Sequence, residues 1–321
     1  MKKRILTAIV MAAILLPIIF VPALIDMFEI VVVILMCVAT FEVLNMYDKE
    51  KKMPLRVKIL CMVLTFGLFC SVVNNFWACR DTLIYRILDY WNFQLDMFFM
   101  IAIVLVCLMV CMIVIPEFDA SDVGKCFTQI LYIGICFGSF MVLRAYGVRF
   151  IVYLLIITIS TDIFALVFGL NFGKHKMAPK ISPKKSWEGA IGGTTVALII
   201  GFCFLFFYPN FAPVFHDGEN INFFEKVFDY SSMSKVGLSI FMVLLTICMS
   251  ICSQVGDLVA SKLKRTYDIK DFSNVFPGHG GVLDRFDSAL FTSAIFLLFL
   301  HFESIVAPLE TIFDEITKLV M

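Results

Sequence analysis

The chain has 321 residues, of which 61% are hydrophobic and 16% charged, with 35 Phe and a mean hydropathy of +0.94. Apolar residues far exceed what a soluble core of this length needs, so a soluble protein is excluded and an integral membrane protein is implied. Formal net charge is zero, which removes bulk basicity as an argument for a nucleic-acid partner and leaves the uneven placement of the charges as the informative feature.

The opening stretch "MKKRILTAIVMAAILLPIIF" joins a basic start to an apolar core, as a signal peptide does. It lacks a clear small-residue cleavage site and more apolar segments follow, so the expectation is a retained first span. Runs of about 20 mostly apolar residues predict nine spans, near 5–22, 28–46, 56–73, 96–115, 127–143, 150–170, 190–208, 236–256 and 288–307. The runs are continuous instead of alternating, which argues against barrel strands. The fold class expected is an all-α integral membrane protein, a polytopic bundle of about nine transmembrane helices. The eleven Cys lie mostly inside these runs, with Cys107/Cys111 and Cys248/Cys252 one helical turn apart, where Cys serves as a small hydrophobe. No zinc-type spacing appears.

Lys and Arg set the orientation. With the N-terminus inside, 19 of the 26 basic residues fall on the inner side and 7 on the outer side, which the positive-inside rule reads as N-in, C-out. Two inner segments differ from the rest. One follows the sixth span, "NFGKHKMAPKISPKKSWEGAIGG"; the other closes the eighth span and opens the ninth, "SQVGDLVASKLKRTYDIKDFSNVFPGHGGVLDRFDS". On this topology they face the same side and can build one site.

If the eighth span stays helical past Gly256, then Asp257, Ser261 and Lys264/Arg265 recur at three- and four-residue spacing along one face. Asp284 and Asp287 stand one turn apart where the ninth span begins. Such a pair, facing a third aspartate from another helix, makes an oxygen cage for a hard divalent cation, most simply Mg²⁺; solvated acids at a helix N-terminus are the alternative. Pro277, Gly278, Gly280 and Gly281 form a turn whose backbone N–H groups can approach phosphate oxygens, with His279 among them.

Lys174, Lys176, Lys180, Lys184 and Lys185 supply cations on the facing loop, where Pro179 and Pro183 add stiffness beyond what attraction to anionic headgroups needs. "GLNFGKH" does not have P-loop spacing, and no Ser/Thr follows its Lys. Asp162 lies inside the sixth span, where an acid costs about 2.5–3.5 kcal/mol to insert and so faces a cavity or a partner. Glu303 raises the same question in the ninth.

"SKLKRTYDIKDFSNVFPGHGGVLDRFDS", residues 261–288, resembles the signature of phosphatidate cytidylyltransferases, also called CDP-diacylglycerol synthases. It carries that family's Ser, Lys-Arg, Lys-Asp, Pro-Gly-His-Gly-Gly and Asp-Arg-x-Asp elements. Residues 161–193 look like the family's preceding region, with Leu166 standing where many relatives have an aromatic residue. The likeness is dense over the C-terminal half and amounts only to a run of spans before it. It implies N-terminal spans over 1–145 and a C-terminal catalytic part over 146–321 within one continuous membrane unit.

The reaction implied is the joining of CTP to phosphatidic acid, giving CDP-diacylglycerol and pyrophosphate at the cytoplasmic face of a cell inner membrane. The residue roles that follow place Asp257, Asp284 and Asp287 on the metal and, with Lys264 and Arg265, in catalysis. Ser182, Lys184, Lys185, Ser261, Lys270, His279, Gly280, Gly281, Arg285 and Asp162 hold substrate. The cofactor implied is Mg²⁺, with K⁺ as a second cation. The partners implied are CTP, phosphatidic acid and membrane lipids, with no nucleic acid; relatives are often dimeric, so a homodimer is in view. A polyprenol kinase or isoprenoid-lipid cytidylyltransferase stays open as an alternative, as does a transporter, although no convincing internal repeat appears. The stretch "PLETIFDEITKLVM" reads as a short amphipathic helix on the outer surface.

Overall fold

Backbone groups inside a bilayer have no water to bond, so long apolar runs close their hydrogen bonds internally as helices. The computed structural model of the chain describes residue 13 and residues 15–215, 223–224, 235–276 and 280–301. His279 and its neighbours Pro277 and Gly278, the start of the first span, Glu303 and the C-terminal stretch lie outside the described residues.

After a helical stretch at 15–20 and a single turn at Pro22–Leu24, α1 runs Ile25–Tyr47 and α2 Leu55–Asn75. A short helix not foreseen from hydropathy, α3 (Leu83–Tyr90), follows. Then come α4 (Met97–Val114), whose first turn is capped by Asp96, and α5 (Ala120–Tyr146), started by a capping box of Asp119 and Asp122. Helix α6 covers Val148–Phe172. Beyond it the chain forms an antiparallel hairpin, β1 (Lys176–Ala178) and β2 (Ser182–Ser186), with Lys176 opposite Ser186 and Ala178 opposite Ser182. Helix α7 (Trp187–Phe211) begins where Ser186 Oγ accepts from Gly189 N. The last two helices are α8 (Lys235–Thr266) and α9 (Leu283–Leu300).

Among the described residues, seven helices are long and apolar enough to cross a membrane, namely α1, α2 and α4 to α8. They coincide with the second to eighth predicted spans. The described part of the ninth is α9, whose opening turn carries Asp284, Arg285 and Asp287. All eleven cysteines are unbridged, and Cys61, Cys70, Cys79, Cys126 and Cys136 are buried.

Helix α5 lies at the centre, in contact with α1, α2, α4, α6 and α9. Helices α6 to α9 form a second group in which α6 touches each of the other three. Its closest approach is set by small residues: a Cβ on Gly189 would stand 2.6 Å from the Ala165 carbonyl oxygen, and one on Gly193 2.7 Å from that of Thr161. Gly189 and Gly193 are four apart on α7, and Ala165 and Gly169 four apart on α6, so the two backbones meet along small-residue rows. A polar seam continues onto α8, where Ser250 Oγ lies 2.8 Å from Thr161 Oγ1 and donates to Thr194 Oγ1 at 3.0 Å. Gln254 Nε2 also donates to Thr194 Oγ1, at 2.9 Å.

Candidate active site

The polar end of α8 decides the site. The apolar run ends near residue 256, yet the helix continues to Thr266, so the stripe foreseen on this segment exists. Ser261 Oγ donates to Asp257 Oδ1 at 3.3 Å, one turn away. One further turn on, Lys264 Nζ reaches Asp284 Oδ1 on α9 at 2.7 Å and stands 5.3 Å from the centre of the Phe272 ring. Arg265 instead donates to the Ile269 carbonyl at 3.1 Å, closing the turn that follows the helix.

Asp284 ties three segments together. Besides Lys264, it accepts from Phe272 N at 2.8 Å and Gly281 N at 2.9 Å, both through Oδ2. Gly280 has φ +90°, and a Cβ there would come within 2.9 Å of the same Oδ2, so the turn requires glycine both for its backbone and for its distance from the carboxylate. Phe276 and Gly280 exchange two backbone hydrogen bonds just before it. Asp287, one turn along α9, is buried and accepts from Ser288 N at 2.7 Å.

The hairpin delivers cations from the other side. Glu188, at the start of α7, accepts from Lys174 N and His175 N, while His175 Nδ1 lies 2.6 Å from its Oε1. These bonds hold the ends of α6 and α7 together and fix the base of the hairpin. From β2, Lys185 Nζ pairs with Asp257 Oδ2 at 2.6 Å and donates to the Gln254 carbonyl at 3.3 Å.

A cavity of about 380 Å³ lies between these elements, within the range of roughly 300–1,000 Å³ usual for small-molecule sites. Its walls include Asp162 from α6, Lys184 and Lys185 from β2, Asp257 and Lys264 from α8, and Asp284, Arg285 and Asp287 from α9. Both unusual segments therefore meet at one place, together with the acid of the sixth span. Ser182 stands at the start of β2, Lys270 is exposed in the segment after α8, and neither lines the cavity. Gly280 and Gly281 support Asp284 from behind. Leu166 lines the wall beside Asp162. Spacing counted from Asp257 onward misses Gln254, one turn earlier on the same helix and also in the wall, and Asp271, the acid that follows Lys270.

Asp162, Asp257 and Asp287 repel one another across the cavity, with Lys185 and Lys264 offsetting part of that charge. The donor set, carboxylate oxygens without thiolate or imidazole among the described residues, suits a hard cation such as Mg²⁺. Among the described residues no three acidic side chains are gathered into a ready cage; Asp257 and Asp284 are each held by a lysine. Cations from three elements facing aspartates from three helices, at the end of a membrane bundle, can receive polyanionic groups and offset charge that develops between them.

A profile of the Cytidylyltransferase family matches residues 2–303 of the chain. The chain is similar to a phosphatidate cytidylyltransferase of Bacillus subtilis (strain 168), with 34% identity over 303 residues, covering 94% of this chain and 97% of that one. It is also similar to phosphatidate cytidylyltransferases of Staphylococcus haemolyticus (strain JCSC1435), at 37% identity, and of Staphylococcus aureus (strain COL), at 35%. Each of these matches runs over 175 residues, 54% of this chain and 58% of the relative.

Proposed function

The chain belongs to the Cytidylyltransferase family, and from that premise we propose that it is the enzyme that joins CTP to phosphatidic acid, yielding CDP-diacylglycerol and pyrophosphate for phospholipid synthesis. The observation that carries this reading is the meeting of Lys185 with Asp257 and of Lys264 with Asp284 in the wall of one cavity, at the end of membrane-length helices. A phosphate oxygen of the lipid attacks the α-phosphorus of CTP. The new phosphorus–oxygen bond forms as the bond to the β-phosphate oxygen breaks, and pyrophosphate leaves with the electron pair. The lipid phosphate is largely ionised near neutral pH, since a phosphate monoester loses its second proton near pH 6. No strong general base is needed.

Both reactants are polyanions, so catalysis consists of bringing them together and stabilising the charge that moves to the leaving group. Lys184, Lys185, Lys264 and Arg285 do this from the cavity wall. Lys185 and Lys264 are each half of an ion pair, so incoming phosphates compete with Asp257 and Asp284 for them. Arg265, Lys270, Ser182, Ser261, Gly280 and Gly281 belong to the segments that frame the entry of the phosphates, His279 is a further phosphate ligand by its place in the sequence motif, and Asp162 faces the substrates from α6. Mg²⁺, with K⁺ as a second cation, would be held by Asp257 and Asp284 with Asp287 assisting, and would supply charge neutralisation at the phosphates.

The site faces the cytoplasm of a cell membrane with the N-terminus on the same side, as the distribution of basic residues favours, and the enzyme works as a homodimer. Phosphatidic acid keeps its chains in the bilayer while its headgroup meets CTP at the surface.

The test is to incubate purified protein with CTP, phosphatidic acid and Mg²⁺ and to assay CDP-diacylglycerol and pyrophosphate together, with an EDTA control. Matched, EDTA-sensitive formation of both products is expected. Phosphorylated lipid with CDP would instead identify a lipid kinase, and a CDP-lipid formed only from an isoprenoid phosphate would move the substrate class.

A further inference from the structure

Glu42 lies on α1, in the N-terminal half of the chain, inside a run of membrane-length apolar sequence. It is 2% exposed. A carboxylate there is costly unless its oxygens are satisfied, and the partners that satisfy it come from the far end of the sequence. Oε1 accepts from Ser273 Oγ at 2.5 Å and from Val282 N at 2.9 Å, and Oε2 accepts from Leu283 N at 3.0 Å.

Those two amides open α9. The residue at the helix N-cap, Val282, has no side chain that can cap it, so the cap is supplied in trans by Glu42. A carboxylate is favoured at this end of a helix because unpaired N–H groups and the helix dipole both point at it. Gly281 makes the approach possible: a Cβ there would stand 2.5 Å from Glu42 Oε1. The turn that follows carries Asp284, Arg285 and Asp287, all in the cavity wall, and Gly281 N in turn bonds Asp284 Oδ2.

We infer that Glu42 is a positioning residue for the reaction: its carboxylate ties Ser273, Val282 and Leu283 to α1 and thereby sets where Asp284 and Asp287 stand. The inference rests on the reading of the cavity as the active site. Glu42 does not line the cavity; it acts through Val282 and Leu283. Chemistry at the C-terminal signature therefore depends on a helix that carries none of the signature residues.

Glu42→Gln separates charge and geometry from size. The amide keeps one accepting oxygen but sets an NH₂ group against a backbone N–H, so one donor is left opposed. In the full-length protein, CDP-diacylglycerol formation is measured against CTP and Mg²⁺ concentration, and hydrogen–deuterium exchange is followed by mass spectrometry. The expected result is a fall in turnover of about 10- to 100-fold, the usual cost of losing a group that orients a site residue. A rise in half-activating Mg²⁺ and faster exchange confined to the segment around 271–288 should accompany it. Wild-type turnover with unchanged exchange would overturn the inference. So would faster exchange spread evenly over α1, α2 and α5, which marks a merely structural loss.

If Glu42→Gln is not recovered folded, Ser273→Ala removes one of the three bonds. It should lower turnover about 2- to 10-fold with the same local exchange change; normal turnover and exchange in that variant would count against Glu42. Wild-type protein that makes no CDP-diacylglycerol would sink the proposed reaction, while the exchange measurement would still decide whether Glu42 holds the segment.

Discussion

Lys185 Nζ sits 2.6 Å from Asp257 Oδ2, joining the hairpin after α6 to the polar end of α8 through one ion pair. The two side chains are 25% and 33% exposed, open enough for solvent to weaken the pair, so it contributes little to stability. Its value is in the chemistry. Lys185→Ala and Asp257→Ala should each lower turnover by about 100-fold or more while shifting the melting temperature little. Because the groups touch, the double variant should be milder than the product of the single effects. Steady-state rates of the three variants check this, and strict additivity would mean that the pair does not work as a unit.

The second pair differs in burial. Lys264 and Asp284 side chains are 12% and 4% exposed, and removing one partner leaves a buried charge, at a cost of about 3–5 kcal/mol. Asp284→Asn should therefore insert and purify but melt at lower temperature and lose turnover by about 100- to 1,000-fold. Adding Lys264→Met removes the stranded cation and should restore the melting temperature without restoring turnover. Recovery of activity along with stability would show that Asp284 serves folding alone.

Helix packing offers a test away from the charges. A Cβ on Gly193 meets the Thr161 carbonyl oxygen at 2.7 Å and the Ala165 Cβ at 2.9 Å. Gly193→Val must push α6 and α7 apart at the level where Asp162 faces the hairpin, so it should destabilise by about 1–3 kcal/mol and lower turnover. Gly124, in α5, has nothing within 4 Å of a built Cβ, and Gly124→Ala should stabilise by about 0.5–1 kcal/mol through helix propensity alone. Thermal melts in detergent compare the two, and equal effects would remove the packing argument.

Much of this is legible in the sequence because the bilayer leaves few options. A run of about 20 apolar residues has to be a helix, and among the described residues seven such runs are found as helices. Helix ends are not legible in the same way. Asp257, Ser261 and Lys264 break the apolar run but continue the helix, since charged side chains on its polar face cost nothing once the segment has left the hydrocarbon. The hairpin is hidden because its strands of three and five residues are too short to show alternation, and Pro179 and Pro183 read as loop. Asp257, Asp284 and Asp287 stand out from spacing alone. Glu42 does not, because a cap supplied from 240 residues away depends on tertiary packing. An acid within a predicted span is nevertheless the same signal that marks Asp162.

Orientation is the remaining prediction, and the ion pairs of the α1–α2 loop sharpen it. Lys51 bonds Asp119 and Asp122 at 2.7 Å each, and Lys125 bonds Glu50 at 2.9 Å. These pairs tie the loop after α1 to the start of α5, and Tyr47 Oη donates to the Lys125 carbonyl at 3.4 Å, so the basic residues of both connections occupy one end of the bundle. The Tyr47 ring also packs at a tilt against that of Tyr267, centroids 5.3 Å apart; Tyr267 directly follows α8, placing the Asp257–Lys264 stripe at that same end. Helix α3 lies at the far end of α2. A reporter active only outside the membrane, such as alkaline phosphatase, should therefore be inactive when fused after Lys52 and active when fused after Asn92. The reverse pattern would put the cavity on the outer face, where CTP is absent, and would exclude CTP as its substrate.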